Sequence, residues 1–242
     1  HQQLEICVDT ERAGVEDIYN DLRVVVQQNG RLDSERAISR PLRTSGSKAY
    51  FEHTPELIFE GGNEYRRFET VSEYYPGIGV ESIDFQHPYR HFYLFVDETR
   101  ADKSYLYDQT QHGRYFVRRQ GAAESDFEAD YGVVHFELDI PQLSDGSMIF
   151  IDGDFVHRRF DPESEMRYNP VTQRYERAML LKQGAYNYQY LLVPPGAMRG
   201  YTAPVEGDSY QTDNEYLIKI YHRRRGDRYD RLIGHHQIMN YE

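Results

Sequence analysis

The chain has 242 residues, of which 28% are charged, and its formal net charge is −12 at pH 7. An acidic surface repels phosphates, so this composition argues against a general nucleic-acid or anionic-membrane surface. Cys7 is the only cysteine, which excludes an intrachain disulfide and a thiolate metal cluster. No run of about 18 apolar residues is present to span a bilayer as a helix.

The first half of the chain reads as short strands separated by turn signals such as Asn29-Gly30. Alternating or apolar runs predict strands at residues 2–8, 22–27, 36–41, 48–53, 65–71, 80–85 and 91–96. A hairpin of residues 105–107 and 115–117 follows. The segment 120–126 (QGAAESD) is small, polar and poor in apolar residues, so we interpret it as a domain boundary.

The second half begins a new series of strands. Residues 131–140 (YGVVHFELDI) alternate, and this period predicts that Val134, Phe136, Leu138 and Ile140 point inward. Further strands are predicted at residues 147–151, 165–168, 214–221 and 231–239, with a hairpin over 174–193. No segment shows a helical period over about eleven residues. The pattern predicts an all-β protein of two tandem β-sandwich domains, residues 1–120 and 127–242.

The hairpin over 174–193 turns at residues 182–184 (KQG) and is rich in tyrosine. After the turn, Tyr186, Tyr188 and Tyr190 share one strand face. These rings either line a binding face for sugars or a protein, or lie on the inner face with their hydroxyls at the sandwich rim. Alternation alone favours the second interpretation.

Few residues suggest catalysis or metal binding. Asp152-Gly153-Asp154 offers two carboxylates, but calcium needs six to eight oxygen ligands. His235 and His236 are adjacent on a predicted strand, so they point to opposite faces and do not chelate one metal together. The sequence has no Gly-x-Ser-x-Gly nucleophile elbow, and no acid pair stands out for glycoside hydrolysis. We therefore predict a protein that is not an enzyme and that has no cofactor or metal site.

Residues 223–231 (RRRGDRYDR) form the most prominent local cluster of charged residues in the chain. This run could bind a phosphate or an acidic partner. Its interleaved Asp227 and Asp230 favour internal pairing with the arginines. Exposed arginine and tyrosine are also common at protein interfaces.

Several motifs resemble one protein family, in collinear order over nearly the whole chain. They are residues 28–31 (QNGR) with Asp33, 61–68 (GGNEYRRF), 97–100 (DETR), 105–107 (YLY), 113–116 (GRYF), 129–131 (ADY), 134–136 (VHF), 166–170 (MRYNP), 175–176 (YE), 180–184 (LLKQG), 186–190 (YNYQY), 206–210 (EGDSY), 215–216 (EY) and 226–234 (GDRYDRLIG). Together they look like the type 9 secretion system plug proteins of Bacteroidota, long catalogued only as a domain of unknown function.

The resemblance implies a periplasmic, outer-membrane-associated protein that is not itself inserted in the membrane. Such a protein closes the periplasmic mouth of the outer-membrane translocon barrel when no cargo is in transit. Family members carry a further β-domain before the matched region, so we expect this chain to be the second and third domains of a longer precursor. Both domains are expected to be immunoglobulin-like sandwiches. The family brings no catalytic residues.

The third domain of the family also resembles early-set sandwiches related to glycogen-binding modules. The alternative function is therefore a carbohydrate-binding module that recognises glucan or peptidoglycan. Related plug proteins usually have tryptophan where this chain has Arg158, and the chain lacks tryptophan altogether, which weakens the sugar hypothesis. The predicted partner-binding residues are Tyr186, Tyr188, Arg223, Arg224, Arg225 and Tyr229.

Overall fold

The computed structural model describes residues 1–239 and is nearly all β, with 43% of it in strands and 7% in helices. This confirms the predicted all-β sandwich class. The strands are β1 (Gln2–Gln3), β2 (Ile6–Asp9), β3 (Leu22–Gln28), β4 (Arg36–Ile38), β5 (Arg43–Ser45), β6 (Lys48–Phe51), β7 (Ile58–Phe59), β8 (Arg66–Glu69), β9 (Val80–Gln86), β10 (Tyr89–Leu94), β11 (Asp97–Glu98), β12 (Tyr115–Val117), β13 (Tyr131–Asp139), β14 (Met148–Asp152), β15 (Glu165–Asn169), β16 (Arg174–Lys182), β17 (Gly184–Val193), β18 (Glu215–His222) and β19 (Arg231–Met239).

Helical structure is confined to short segments. Two single-turn α-helices are α1 (Ser125–Glu128) and α2 (Ala203–Glu206), and 3₁₀ turns lie at Leu32–Ser34, Pro55–Leu57 and Asp154–Val156. None of the helices within residues 1–239 is long and apolar enough to cross a membrane.

The chain divides into two compact units, but not where the sequence predicted. Unit 1 combines His1–Gly61 with the described residues from Ser209 onward, and unit 2 is Gly62–Asp208. The predicted boundary at 120–126 lies inside unit 2, because strands on both sides of it pair: β10 with β13, and β12 with β17. The C-terminal β18 likewise pairs with β3. The predicted domains 1–120 and 127–242 are therefore not the compact units.

Unit 1 is built from a four-stranded sheet, β19-β18-β3-β4, and a three-stranded sheet, β2-β6-β5, with β1 and β7 forming a separate pair. Alternation along β18 buries Tyr216, Ile218 and Ile220, while the apolar run of β3 is buried almost throughout. The buried cluster that holds this unit together is Ile6, Val8, Leu22, Val24, Val26, Ile38, Ala49, Phe51, Leu57, Phe59, Tyr216, Ile218 and Ile220.

Unit 2 contains a ten-stranded sheet with the path β12-β17-β14-β15-β16-β13-β10-β9, to which β8 and β11 add by pairing with β17 and β13. Most neighbours are antiparallel, but β10 and β11 both run parallel to β13. Alternation along β13 buries Val134, Phe136 and Leu138 as predicted, whereas Ile140 is only partly buried. The assignment to immunoglobulin-like and early-set sandwiches stays a prediction.

Candidate interaction sites

Tyr186 and Tyr188 lie in the core of unit 2, at 2% and 3% exposure. The ring of Tyr186 stacks on Phe68 with centroids 4.9 Å apart, and Tyr188 meets Phe136 edge to face at 5.3 Å. The prediction that these two tyrosines line a partner surface is therefore wrong. The alternative interpretation, inner-face aromatics, is the correct one, because β17 has paired neighbours on both sides and its tyrosine face is covered by core aromatics.

Two tyrosines of β17, Tyr188 and Tyr190, form a tyrosine ladder whose hydroxyls both donate to one carboxylate. Tyr188 Oη donates to Asp97 Oδ2 at 2.7 Å, and Tyr190 Oη donates to the same oxygen at 2.8 Å. Burial, and then the negative charge of Asp97, raise the pKa of both hydroxyls well above the usual range. Both tyrosines therefore remain hydrogen-bond donors inside the core.

A buried ion-pair network adjoins the ladder. Glu206, which is fully buried, accepts from Arg66 Nε at 3.1 Å and from Arg100 Nε at 2.8 Å. Burial alone would raise the pKa of Glu206, but the two guanidinium groups and the backbone N–H of Tyr190 outweigh it and hold this pKa below its usual range. The network fixes strand positions and offers no open surface to a partner.

Both carboxylates of the Asp152-Gly153-Asp154 turn pair with Arg158 of the same chain. Arg158 Nε donates to Asp154 Oδ1 at 2.6 Å, and Arg158 Nη1 lies 3.4 Å from Asp152 Oδ2. Asp152 also accepts from Gln189 Nε2 at 2.9 Å. Within residues 1–239, no group of three or more histidine, cysteine, aspartate or glutamate side chains is arranged to hold a metal ion.

The basic run forms the connection between β18 and β19 in unit 1. Its predicted partner-binding residues are all exposed: Arg223, Arg224, Arg225 and Tyr229. Tyr229 is 73% exposed, so most of its ring is available for contact. The six predicted residues do not form one site, since four lie on this exposed loop and two lie in the core of the other unit.

Of the two interleaved aspartates, Asp230 forms an ion pair within this loop, whereas the Asp227 carboxylate accepts from a backbone N–H. Arg223 Nη1 lies 3.6 Å from Asp230 Oδ1, and the backbone N–H of Arg224 donates to Asp227 Oδ2 at 3.1 Å. Neither Arg225 nor Arg228 has an ion pair with any described residue. Within residues 1–239, the loop that carries Tyr229 therefore has two guanidinium groups without a carboxylate partner.

A cavity of about 310 Å³ in unit 2 was missed by sequence reasoning. The β9–β10 hairpin and the β16–β17 turn contribute to its wall, which includes Phe85, Tyr89, Arg90, Asp130, Tyr131 and Gln183. The Arg90 guanidinium lies 4.8 Å from the centroid of the Phe85 ring. The sequence feature that could have indicated this cavity is the group of aromatic residues around the hairpin turn, FQHPYR at 85–90. Alternation assigns these residues only to strands.

Two histidines on neighbouring parallel strands form a further polar pair. His91 Nδ1 and His135 Nε2 are 2.8 Å apart. Burial, followed by repulsion from His91, lowers the pKa of His135, although Glu137 and Glu176 act in the opposite direction. The pair is a structural hydrogen bond that requires at least one neutral imidazole ring.

Comparisons with known proteins find a similar solved structure. No protein-family model matches the sequence, and no curated protein matches it either. The structure is similar to the crystal structure, at 2.30 Å resolution, of a hypothetical protein from Parabacteroides merdae ATCC 43184, with a TM-score of 0.95 and 40% sequence identity. The match covers 98% of this chain and 59% of that protein, so the chain spans about three fifths of its relative's length.

Proposed function

We propose that this protein is a non-enzymatic, periplasmic gating component that binds the periplasmic mouth of the type 9 secretion translocon barrel. The observation that carries the proposal is the exposed β18–β19 loop. It presents Tyr229 beside Arg225 and Arg228, which have no carboxylate partner within residues 1–239. The motifs shared with the plug family supply the identity of the partner.

The chemistry of the loop fits a reversible protein contact. Arginine and tyrosine are enriched among the residues that dominate binding energy at interfaces. Unpaired guanidinium groups bind carboxylates through charge-assisted hydrogen bonds, so the partner surface is expected to be acidic. The chain as a whole is strongly acidic, with a formal net charge of −12, which disfavours contact with an acidic partner anywhere except at such a basic loop.

The length of the similar protein agrees with this proposal. Plug proteins carry a further β-domain beside the matched region, and the protein from Parabacteroides merdae also extends well beyond the matched part. A gating role requires area, shape and a switchable contact, which a β-sheet scaffold with a charged hairpin loop supplies without any chemical step.

The test is affinity purification of the tagged full-length protein from gently solubilised outer membranes, followed by mass spectrometry. We expect the translocon barrel in near-stoichiometric amount, and its loss from the complex during active cargo transit. The variant R225A/R228A should reduce barrel recovery at least about tenfold, which corresponds to about 1.4 kcal/mol of binding free energy.

The matched control is R12A/R40A, which removes two exposed arginines elsewhere in unit 1 and makes the same change in net charge. This control should leave barrel recovery unchanged. Failure of the wild-type protein to recover any barrel would overturn the gating function. Equal recovery with both variant pairs would instead remove the loop from the interface.

A further inference from the structure

A cavity of about 420 Å³ lies in unit 1 between two of its strands, β2 and β19. The two strands belong to different sheets, and each is the last strand of its sheet. Aliphatic side chains form the apolar part of the cavity wall: Ile6, Val8, Ile218, Ile220, Ile233 and Ile238. The core of unit 1 is therefore accessible between these two strands.

Neither strand has a pairing partner on its outer side. Within residues 1–239, β2 pairs only with β6 and β19 pairs only with β18. Residues 5–9 and 231–239 form no backbone hydrogen bond to any other described residue outside these ladders. Each strand therefore presents a row of backbone N–H and C=O groups that a further strand can pair with.

The cavity follows these strand edges rather than the face of either sheet. Neighbouring residues of a strand point to opposite faces, so a cavity on one face is lined by every second residue. The lining here instead includes every residue from 5 to 9 and every residue from 233 to 236. An occupant of this cavity therefore meets backbone groups as well as aliphatic side chains.

The edge of β19 has room for the side chains of an occupant. Gly234 pairs with the buried Ile220, so position 234 lies on the core-facing side of the sheet. A Cβ atom at Gly234 would meet no other atom within 4 Å. The strand (RLIGHHQIM) also has no lysine or proline, the residues that commonly block strand edges. Its one register shift lies between Leu232 and Gly234, which leaves a regular edge over residues 234–239.

The charged residues of the cavity wall are acidic. Glu5 and Asp9 line it beside the inward-facing Ile6 and Val8, and both carboxylates are exposed. Within residues 1–239, Glu5 is opposed only by His53, at 3.8 Å, and Asp9 has no ion pair. A strand that carries lysine or arginine between its aliphatic residues complements this wall.

We propose that this cavity is a docking site for an extended segment of another polypeptide, which adds to β19 as a fifth strand of the four-stranded sheet. The backbone of the segment pairs with residues 234–239. Its aliphatic side chains, at alternate positions, enter the cavity, and its basic side chains face Glu5 and Asp9. In strand addition of this kind, main-chain hydrogen bonds give affinity and alternate side chains give specificity. A small apolar molecule could fill the volume, but it would leave the strand edges unpaired. The proposal does not depend on the gating function.

The test is selection from a displayed library of random nonapeptides on the immobilised full chain, followed by fluorescence anisotropy with the enriched peptides. We expect these peptides to alternate aliphatic residues with polar or basic ones and to bind at about 0.1 mM or tighter. Backbone N–H groups of alternate residues point to the same edge of a strand. N-methylation of one alternate set in the best peptide should weaken binding at least about tenfold, because it blocks the edge that pairs with β19. N-methylation of the other set should be tolerated.

G234V places a side chain in the space that the aliphatic residues of the peptide occupy, and it should weaken binding at least about tenfold. Valine is favourable in strands, so folding is not at risk. The matched control is Q237V, which adds the same side chain at an exposed residue on the opposite face of β19 that does not line the cavity. It should change affinity less than about twofold.

Failure to enrich any peptide, or enrichment of peptides without alternation, would overturn the proposal. Equal affinities of G234V and Q237V, or equal effects of the two N-methylated sets, would do the same. Sedimentation of the wild-type chain as a dimer that G234V dissociates would assign the edge to a second copy of this chain instead. None of these probes contains a translocon component, so this test and that of the gating function fail independently.

Discussion

Glu206 and Arg66 form a bidentate ion pair inside unit 2. Arg66 Nε lies 3.1 Å from Oε1 of Glu206, and Arg66 Nη2 lies 3.1 Å from Oε2. Arg66 Nη1 also donates to Asp97 at 2.7 Å, and Asp97 is the acceptor for Tyr188 and Tyr190. The pair therefore ties α2 and β8 to the tyrosine ladder of β17.

Removing the charge of Glu206 should destabilise the protein strongly. Within residues 1–239, E206Q leaves the Arg100 guanidinium without a carboxylate partner and leaves Arg66 with Asp97 alone. Breaking a buried pair in this way costs about 3–5 kcal/mol. Urea unfolding followed by circular dichroism should show the lower free energy of unfolding. The control E98Q changes an exposed glutamate paired with Lys103 and should leave the midpoint unchanged. Equal midpoints for E206Q and the wild type would show that the pair does not contribute.

Deleting one hydroxyl of the tyrosine ladder should also reduce stability. Y188F removes a 2.7 Å hydrogen bond to the Asp97 carboxylate and leaves the ring in place. Hydrogen bonds to charged groups contribute about 1.5–3 kcal/mol, so the free energy of unfolding should fall by that amount. Y107F is the matched control, since Tyr107 is 62% exposed. If both variants unfold like the wild type, the ladder is not a stabilising network.

The His91–His135 pair should make stability depend on pH. The folded state lowers the pKa of His135 below 6.5, so folding favours the neutral ring. The contribution of the neutral His135 ring to the free energy of unfolding is complete above pH 6.5. It is lost as the pH falls from 6.5 through the lower pKa that His135 has in the folded state.

Thermal unfolding at about pH 7.5 and about pH 5.5 provides the measurement. The difference in Tm between the two conditions should be smaller for H135Q than for the wild type. H236Q alters an exposed histidine on β19 and should preserve the wild-type difference. A larger pH dependence in H135Q would show that the protonated form of His135 is the one stabilised by folding.

Gly132 should not tolerate a side chain. A Cβ atom there would lie 2.4 Å from Phe92 Cε2 and 3.1 Å from the Arg90 carbonyl oxygen. G132A should therefore cost about 1–3 kcal/mol, since overpacking forces core residues to move. The control G234A is on another strand, where a Cβ would meet no atom within 4 Å, and it should be close to neutral. Urea midpoints that fall equally in the two variants would contradict the steric explanation.

Local pattern in the sequence was sufficient for individual strands. Alternation predicted a strand at 131–140 and a hairpin over 174–193, and the structure has β13 at Tyr131–Asp139 and β16–β17 on either side of Gln183. These predictions succeed because period-2 alternation depends on which residues share a face of one strand, and that is a local property of the chain.

The tertiary structure decided which faces are covered and which strands are neighbours. Alternation placed Tyr186 and Tyr188 on one face, but only the approach of Phe68 and Phe136 from distant strands buries that face. The predicted boundary at 120–126 is likewise contradicted by a contact between distant residues, the pairing of β10 with β13. The cavity beside the β9–β10 hairpin depends on Arg90, Asp130 and Gln183, which come from three separate segments. Burial, sheet order and cavities are set by contacts between residues far apart in sequence, and no local period encodes them.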